Sequence, residues 1–399
     1  MDVKTFYDRF PYPPPARDLD AYRRLWQDDA RRRAEFHLFW PGRPYRDTFS
    51  ILIAGCGTQQ GAKHALRWPR AQVVAIDVSE AALDEEAALK KKHGLANLAL
   101  HHLAVEHAAD LGMRFDQVVA TGVLHHMKDP DAGLRALRAV LAPQGAMHLM
   151  LYAPYGRRGI YMLQEFFRRA GISASGDGVR AALAVLSHLP HDHPLANLLR
   201  NAPDFRSESA LADALLHPVD RAFSVPELFA FLRANGMRFT RWLRQAPYTT
   251  RAGIMARVAA SLDLGLLPAE EQFAAAELFR GTMLHHSLIA FRDDEPGGAG
   301  IGFAHRESWR GYVPIRLPDT IAVEGRLPPG TAAVLINRTH TDTDIVLPVN
   351  TCEKRLFDAI DGRRTIGALL SRPEHERTAR HLFERLFWHD QVVIDASAQ

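Results

Sequence analysis

The stretch Ile51-Leu52-Ile53-Ala54-Gly55-Cys56-Gly57-Thr58-Gln59 runs an apolar strand into a glycine-rich turn, where a ligand can press against bare main chain. Twenty-two positions beyond Gly55, a second apolar run, Val73-Val74-Ala75-Ile76, ends in Asp77. A carboxylate there is placed to accept from the two hydroxyls of a ribose, so the pair of motifs points to an adenosine-containing ligand. A dinucleotide fingerprint needs a third glycine where Gln60 stands, which disfavours a cradled pyrophosphate. Farther along, His125 and His126 carry imidazoles that titrate in the range of a general base, although a histidine opening a helix also serves as a cap or packing residue. Tyr152, Tyr155 and Arg157 follow an apolar run and suit the orientation of an aromatic or acidic acceptor, or an ordinary solvated loop.

These residues need a scaffold that brings strand ends together. Segments 98–103, 115–120 and 146–151 read as further strands after the two above, with helical spacing between them. Segment 131–141 is one such helix: Leu134, Leu137, Val140 and Leu141 keep the three-four spacing, and Pro143-Gln144-Gly145 ends it. Strand-helix alternation of this kind makes a doubly wound, mostly parallel α/β sheet, whose ligands sit at the carboxyl ends of the strands. Segments 237–243 and 285–292 read as its last two strands, an antiparallel edge interrupted by an insertion at 246–283.

At this level the chain resembles the class I methyltransferases that depend on S-adenosylmethionine. The resemblance rests on Ala54-Gly55-Cys56-Gly57-Thr58, Ala75-Ile76-Asp77-Val78-Ser79, Phe115-Asp116 with Thr121-Gly122-Val123-Leu124-His125-His126, and Leu141-Ala142-Pro143-Gln144-Gly145, in that order over residues 48–155. It implies a Rossmann-like seven-stranded sheet and S-adenosylmethionine as cofactor. Gly55, Cys56, Gly57 and Thr58 would pass under the methionine part, Asp77 and Val78 would meet the ribose, Ala104 and Val105 the adenine, and Thr121 and Gly122 the sulfonium end. The family often has a third glycine at Gln59, an aspartate at Ala104 and an acid at Ile53. The implied activity is methyl transfer by in-line displacement to an oxygen or nitrogen acceptor, on a small molecule by the family's habit. Such a transfer mainly needs the nucleophile held at about 3 Å from the methyl carbon, with His125 or His126 as base where the acceptor carries a proton. A methyltransferase-like protein that binds a nucleoside or peptide without turnover is the alternative reading.

Composition bounds the rest. The 399 residues suggest two or three domains, and a net charge of +3 is too small for a dedicated nucleic-acid binder of this length. Two cysteines, Cys56 and Cys352, make no disulfide framework, and the N-terminus lacks an apolar signal core, so the expected compartment is the cytoplasm, without membrane association. The segment Phe6-Tyr7-Asp8-Arg9-Phe10-Pro11-Tyr12-Pro13-Pro14-Pro15 reads either as a proline-rich tether or, by the resemblance, as a flap over the cofactor with Tyr7 or Tyr12 touching it. Residues 160–222 read as lid helices, and 246–283 as a further part of that lid. His188, His191, Asp192 and His193 look like metal ligands, but Pro190 and Pro194 break the helix that would align them, and no metal is expected.

The expected domains are a flap and helix at 1–45, the methyltransferase domain at 46–293, a linker at 294–303 and an accessory domain at 304–399. The last reads as a small winged-helix-like α+β pattern: strand 334–337, helix 352–360, turn Asp361-Gly362, a helix after Thr365, helix 374–388 and strand 392–394. It weakly resembles the peptide-recognising modules of the PqqD type, chiefly through Leu356-Phe357-Asp358-Ala359-Ile360-Asp361-Gly362, which implies a peptide or protein partner. DNA is not expected there, because Arg377, Arg380 and Arg385 alternate with Glu374, Glu376 and Glu384.

Overall fold

The structure, a computed structural model, describes residues 1–201, 207–295, 300–304, 308–340, 342–370 and 376–398. The chain divides into two compact units. The first comprises Met1–Leu25, Asp47–Phe239 and Arg280–Glu295; the second comprises Trp26–Arg46, Thr240–Phe279 and Pro296–Gln399.

Strands β1 (Ser50–Ala54), β2 (Gln72–Asp77), β3 (Leu98–His102), β4 (Phe115–Thr121), β5 (Leu141–Tyr152), β6 (Met237–Trp242) and β7 (His285–Arg292) make one sheet, which belongs to the first unit except for the last three residues of β6. Their order is β3-β2-β1-β4-β5-β7-β6; β1 pairs in parallel with both β2 and β4, and β7 runs antiparallel to β5. This is the doubly wound seven-stranded sheet expected from the motifs. Ile51, Leu52, Ile53 and Ala54 are buried, which is why β1 reads as an unbroken apolar run rather than an alternating one. Strand order reverses between β1 and β4, so a crevice opens beyond their carboxyl ends.

Local chemistry sets the helix ends. Ser79 accepts from the Ala82 amide to open helix Glu80–His93, which Gly94 closes in the left-handed conformation after three lysines. Asp129 caps helix Pro130–Val140 through the Ala132 amide, with proline at the first turn. The strand that follows begins earlier than its apolar run suggests, at Leu141. Phe115 pairs with Leu141 and Gln117 with Ala146, so residues 142–145 bulge from the ladder, and Gln144 takes the positive φ that the bend requires.

Helices Arg158–Arg169, Gly176–Leu186, Ala196–Asn201 and Glu208–Leu216 follow β5 and share a small core of Ile160, Leu163, Phe167, Leu195, Leu211 and Leu215. The N-terminal helix Val3–Arg9 joins this group, because Phe6 is fully buried with Val179 and Ala212. His188 and His191 stay exposed, and His193 spends Nδ1 on the Leu195 amide, so that histidine run forms no ligand cluster among the described residues.

In the second unit, strands Val313–Arg316 and Val392–Asp395 pair antiparallel, and Thr320–Val323, Ala333–Asn337 and Leu347–Val349 make a three-stranded sheet. Helices Thr351–Asp358, Ile366–Leu369 and Glu376–Trp388 pack on them through Leu356, Phe357, Ile366, Leu382, Phe383 and Leu386. The helix-turn-helix-helix-strand order matches the sequence reading; residues 374 and 375 of the expected last helix lie outside the described residues, as do 296–299 of the expected linker. Two segments expected elsewhere, residues 26–46 as the helix after the N-terminal flap and 246–279 as part of the lid, cluster here instead. The Ala396 amide donates to the Pro41 carbonyl at 2.7 Å, and the Ala246 amide donates to Asp390 at 2.9 Å. No helix among the described residues is long and apolar enough to cross a membrane.

Candidate active site

The crevice of the first unit is a cavity of about 710 Å³. On one side lie Gly55, Cys56, Gly57, Asp77, Val78, Ala104, Val105, Thr121 and Gly122; on the other lie Tyr7, His126, Tyr152, Arg157 and Asp213.

The glycine loop owes its shape to its neighbours. Gly55 and Gly57 have φ of +67° and +53°, and a Cβ on Gly55 would meet Val123 Cγ2 at 2.4 Å. A Cβ on Gly57 would meet the Tyr12 carbonyl at 2.6 Å, because residues 12–14 lie directly over the loop. The Thr58 hydroxyl donates to the Pro13 carbonyl at 2.7 Å and the Gln59 amide donates to that of Pro14 at 3.3 Å. The aromatic-proline segment is thus a flap on this loop, with Tyr7 and Tyr12 both on the cavity wall. Thr58 itself is buried beneath the flap rather than on the wall.

Asp77 ties the loop to β2. Its Oδ2 accepts from the Gly57 amide at 2.8 Å and its Oδ1 from the Ser79 amide at 2.9 Å. Burial raises its pKa, and those amides pull it back down. Gln60, the residue that breaks the dinucleotide fingerprint, donates to the Thr121 hydroxyl at 2.9 Å across the crevice.

A second carboxylate, which sequence reasoning missed, sits behind the loop. Fully buried Glu86 accepts from the Gly61 amide at 2.6 Å and the Ala62 amide at 2.9 Å, and burial raises its pKa to about 7. It therefore occupies the amino end of helix Gln60–Arg67, where a dinucleotide fold would hold pyrophosphate. The signal was present: Ala82, Glu86, Leu89 and His93 are the buried positions of one helix, so Glu86 is a charge on an otherwise inward stripe.

The opposite wall centres on Asp213, also missed. The Tyr7 hydroxyl donates to its Oδ1 at 2.9 Å and the Tyr152 hydroxyl to its Oδ2 at 3.1 Å. His126 donates from Nδ1 to the Val219 carbonyl at 2.7 Å, which leaves the Nε2 lone pair 3.9 Å from Asp213 Oδ1; burial lowers its pKa to about 4. The His217 ring lies 3.9 Å from that of His126. Burial raises the pKa of Asp213 and pushes both tyrosines well above the usual phenol range. Asp213 was legible as the one charge in Ala210-Leu211-Ala212-Asp213-Ala214-Leu215, a helix that is otherwise apolar on every buried face.

Of the other sequence candidates, Arg157 is buried and engaged: it donates to Asp220 and to Tyr161, each at 3.0 Å, and lies 3.4 Å over the Tyr152 ring. His125 is fully buried, stacks on Tyr152 at 3.7 Å and does not line the cavity; both its ring nitrogens lack hydrogen-bond partners. Tyr155 is 41% exposed and also lies off the cavity wall.

His126, Asp213 and His217 bring ligand-type atoms within 4.8 Å of one another. His217 has no lone pair to give a metal, however: its Nδ1 accepts from the Val219 amide at 3.1 Å, so Nε2 carries the proton.

Residues 52–147 match the model of a methyltransferase-domain family. Over those residues the chain is similar to a methyltransferase domain. It is 31% identical over 248 residues to an uncharacterized protein of Synechococcus, an alignment covering 59% of this chain and 58% of that one. A shorter match, 30% over 88 residues, reaches an uncharacterized protein of Rickettsia prowazekii, covering 22% and 16% respectively. The chain thus spans little more than half the length of the first of these relatives and far less of the second. Among solved structures, PKMT2 of Rickettsia typhi in complex with AdoHcy superposes with a TM-score of 0.62 at 15% identity, covering 92% of this chain and 75% of that one. A second structure of PKMT2 gives 0.64 at 16% identity, covering 96% and 77%, so the likeness in fold extends past the methyltransferase domain.

Proposed function

We propose that this chain is a methyltransferase that uses S-adenosylmethionine and moves its methyl group by in-line displacement to an oxygen or nitrogen acceptor of a small molecule. The observation that carries the reading is the continuity of one cavity from the Gly55–Gly57 loop and Asp77 to the Tyr7, His126, Tyr152 and Asp213 group. Glu86 favours this donor over a dinucleotide, because the two amides that would hold a pyrophosphate are already taken by a carboxylate. The chemistry asks for orientation and exclusion of water more than for a strong catalyst, since the sulfonium is itself activated. AdoHcy in the PKMT2 structure, a protein of the same fold, supports the same ligand.

Asp77 would hold the ribose through the acceptor capacity its two amide bonds leave, and Thr121 and Gly122 would flank the sulfonium. His126 Nε2 is the base on the cavity wall, and His125 packs behind it. Titration calorimetry with S-adenosylmethionine and S-adenosylhomocysteine tests the cofactor; the absence of heat at millimolar ligand would sink the reading. Transfer of a labelled methyl group to components of a cell extract tests the reaction. Tight binding with no transfer to any fraction would favour a nucleoside-binding role for the same cavity.

A further inference from the structure

The glycine loop spends its main-chain donors on the fold. The Gly55 and Cys56 amides both donate to the Ile76 carbonyl, at 2.9 and 3.0 Å, and so prolong the ladder between β1 and β2. The Gly57 amide donates to Asp77 Oδ2 at 2.8 Å, and the main-chain N–H of Gln60 donates to the Cys56 carbonyl at 3.2 Å. Inside the helix that follows, the Gly61 and Ala62 amides belong to Glu86. Gly55, Cys56, Gly57 and Gln60 are the loop residues on the cavity wall, so a polar ligand group arriving there finds their main-chain N–H groups already claimed. Ile53 supplies no carboxylate beneath them, being apolar, buried and off the wall. Recognition at this end of the cavity therefore falls to side chains.

Resting on the methyl-transfer reading above, we infer that Gln60 recognises the α-amino-acid end of the donor, with Thr121 as its partner across the crevice. That end is a zwitterion at neutral pH, so it needs an acceptor for its ammonium and a donor for its carboxylate. A carboxamide and a hydroxyl carry both functions, and neither brings a net charge that would repel one half of the zwitterion. The 2.9 Å bond between Gln60 Nε2 and Thr121 Oγ1 uses one N–H and one lone pair. Among the described residues, Gln60 Oε1, the second Nε2 hydrogen and the Thr121 O–H take no other partner. Both side chains stand on the cavity wall, half-buried, where the turn after β1 faces the carboxyl end of β4. The bond between them fixes the carboxamide, so less side-chain freedom is lost when a ligand arrives. The residue that spoils a dinucleotide fingerprint thus becomes the one that selects a nucleoside bearing an amino acid.

The test is titration calorimetry on the full chain with S-adenosylhomocysteine and 5′-methylthioadenosine, which share the nucleoside and the sulfur and differ in the amino-acid end. The wild-type chain is expected to bind S-adenosylhomocysteine about tenfold or more tighter than 5′-methylthioadenosine. Gln60→Met keeps the length of the side chain and removes its hydrogen bonds; it should bring that ratio to about twofold or less by weakening S-adenosylhomocysteine alone. Retained binding of 5′-methylthioadenosine shows that the variant is folded around an intact nucleoside site. Thr121→Val, isosteric and without the hydroxyl, should lower the ratio in the same direction. Equal binding of the two ligands by the wild-type chain, an equal loss of both in the two variants, or an unchanged ratio in either would overturn the inference. Binding of neither ligand by the wild-type chain overturns the methyl-transfer reading with it, whereas binding of both at a ratio the variants leave alone overturns this inference only.

Discussion

The Gly57 amide donates to Oδ2 of Asp77 at 2.8 Å, which makes the carboxylate at the tip of β2 a fastener of the glycine loop as well as a candidate ribose ligand. Asp77→Ala removes both functions and strands the Ser79 amide too. Calorimetry should show S-adenosylmethionine affinity falling by about tenfold or more, and urea unfolding a loss of about 1–3 kcal/mol. Unchanged affinity would mean that the ribose lies elsewhere.

Gly57 has a second neighbour in the flap. Gly57→Ala adds a Cβ 2.6 Å from the Tyr12 carbonyl at a φ of +53°, so either the loop or the flap must move. The expected outcome is faster proteolytic cleavage within residues 10–16, together with weaker nucleoside binding. Protection equal to wild type would show that the flap does not depend on this approach.

Gly61 and Glu86 form a separate unit. A Cβ at Gly61 would meet that of Ala75 at 2.9 Å and Glu86 Oε1 at 3.1 Å, so Gly61→Ala should destabilise by about 1–3 kcal/mol in urea. Glu86→Ala should cost about as much by leaving the Gly61 and Ala62 amides buried without an acceptor, while Glu86→Gln, which keeps one carbonyl oxygen, costs less.

Stability should fall on acidification. His64, His126 and His217 have folded pKa values depressed to about 3, 4 and 3 by burial, so between those values and about 6.5 only the unfolded chain is protonated there. The unfolded state then binds more protons, and stability drops as the pH is lowered through that window. Glu86 has the opposite sign: raised to about 7, it holds a proton in the folded chain that the unfolded chain releases above about 4.5, so its contribution grows as the pH falls from 7. Three rings outweigh it below pH 6, and the urea midpoint should decline from pH 6 to pH 5. His64→Gln should lessen that slope by up to about 1.4 kcal/mol per pH unit; an unaltered slope would mean that His64 titrates normally.

The sheet was legible because β1 to β5 are short apolar runs punctuated by glycine and proline, and the cavity wall at the Gly55–Gly57 loop because glycines and one acid stand at fixed places in that alternation. The acceptor wall was not. Asp213 lies 136 positions beyond Asp77 in the chain, and its partners Tyr7 and Tyr152 stand 206 and 61 positions before it, so no local spacing records their meeting. His125 and His126 looked equivalent as a pair, yet the turn after β4 buries one ring behind Tyr152 and turns the other into the cavity. The grouping of residues 26–46 and 240–279 with the C-terminal unit was likewise hidden, since it rests on contacts far apart in sequence, such as Ala396 to Pro41 and Ala246 to Asp390.

The flap is tied at two places: the Tyr7 hydroxyl donates to Asp213, and the Pro13 and Pro14 carbonyls accept from Thr58 and Gln59. One short stretch of chain therefore stands over both the glycine loop and the Asp213 group. On the methyl-transfer reading, donor and acceptor would leave past the same segment, and a substitution that frees Thr58 from Pro13 would hasten departure from both ends together.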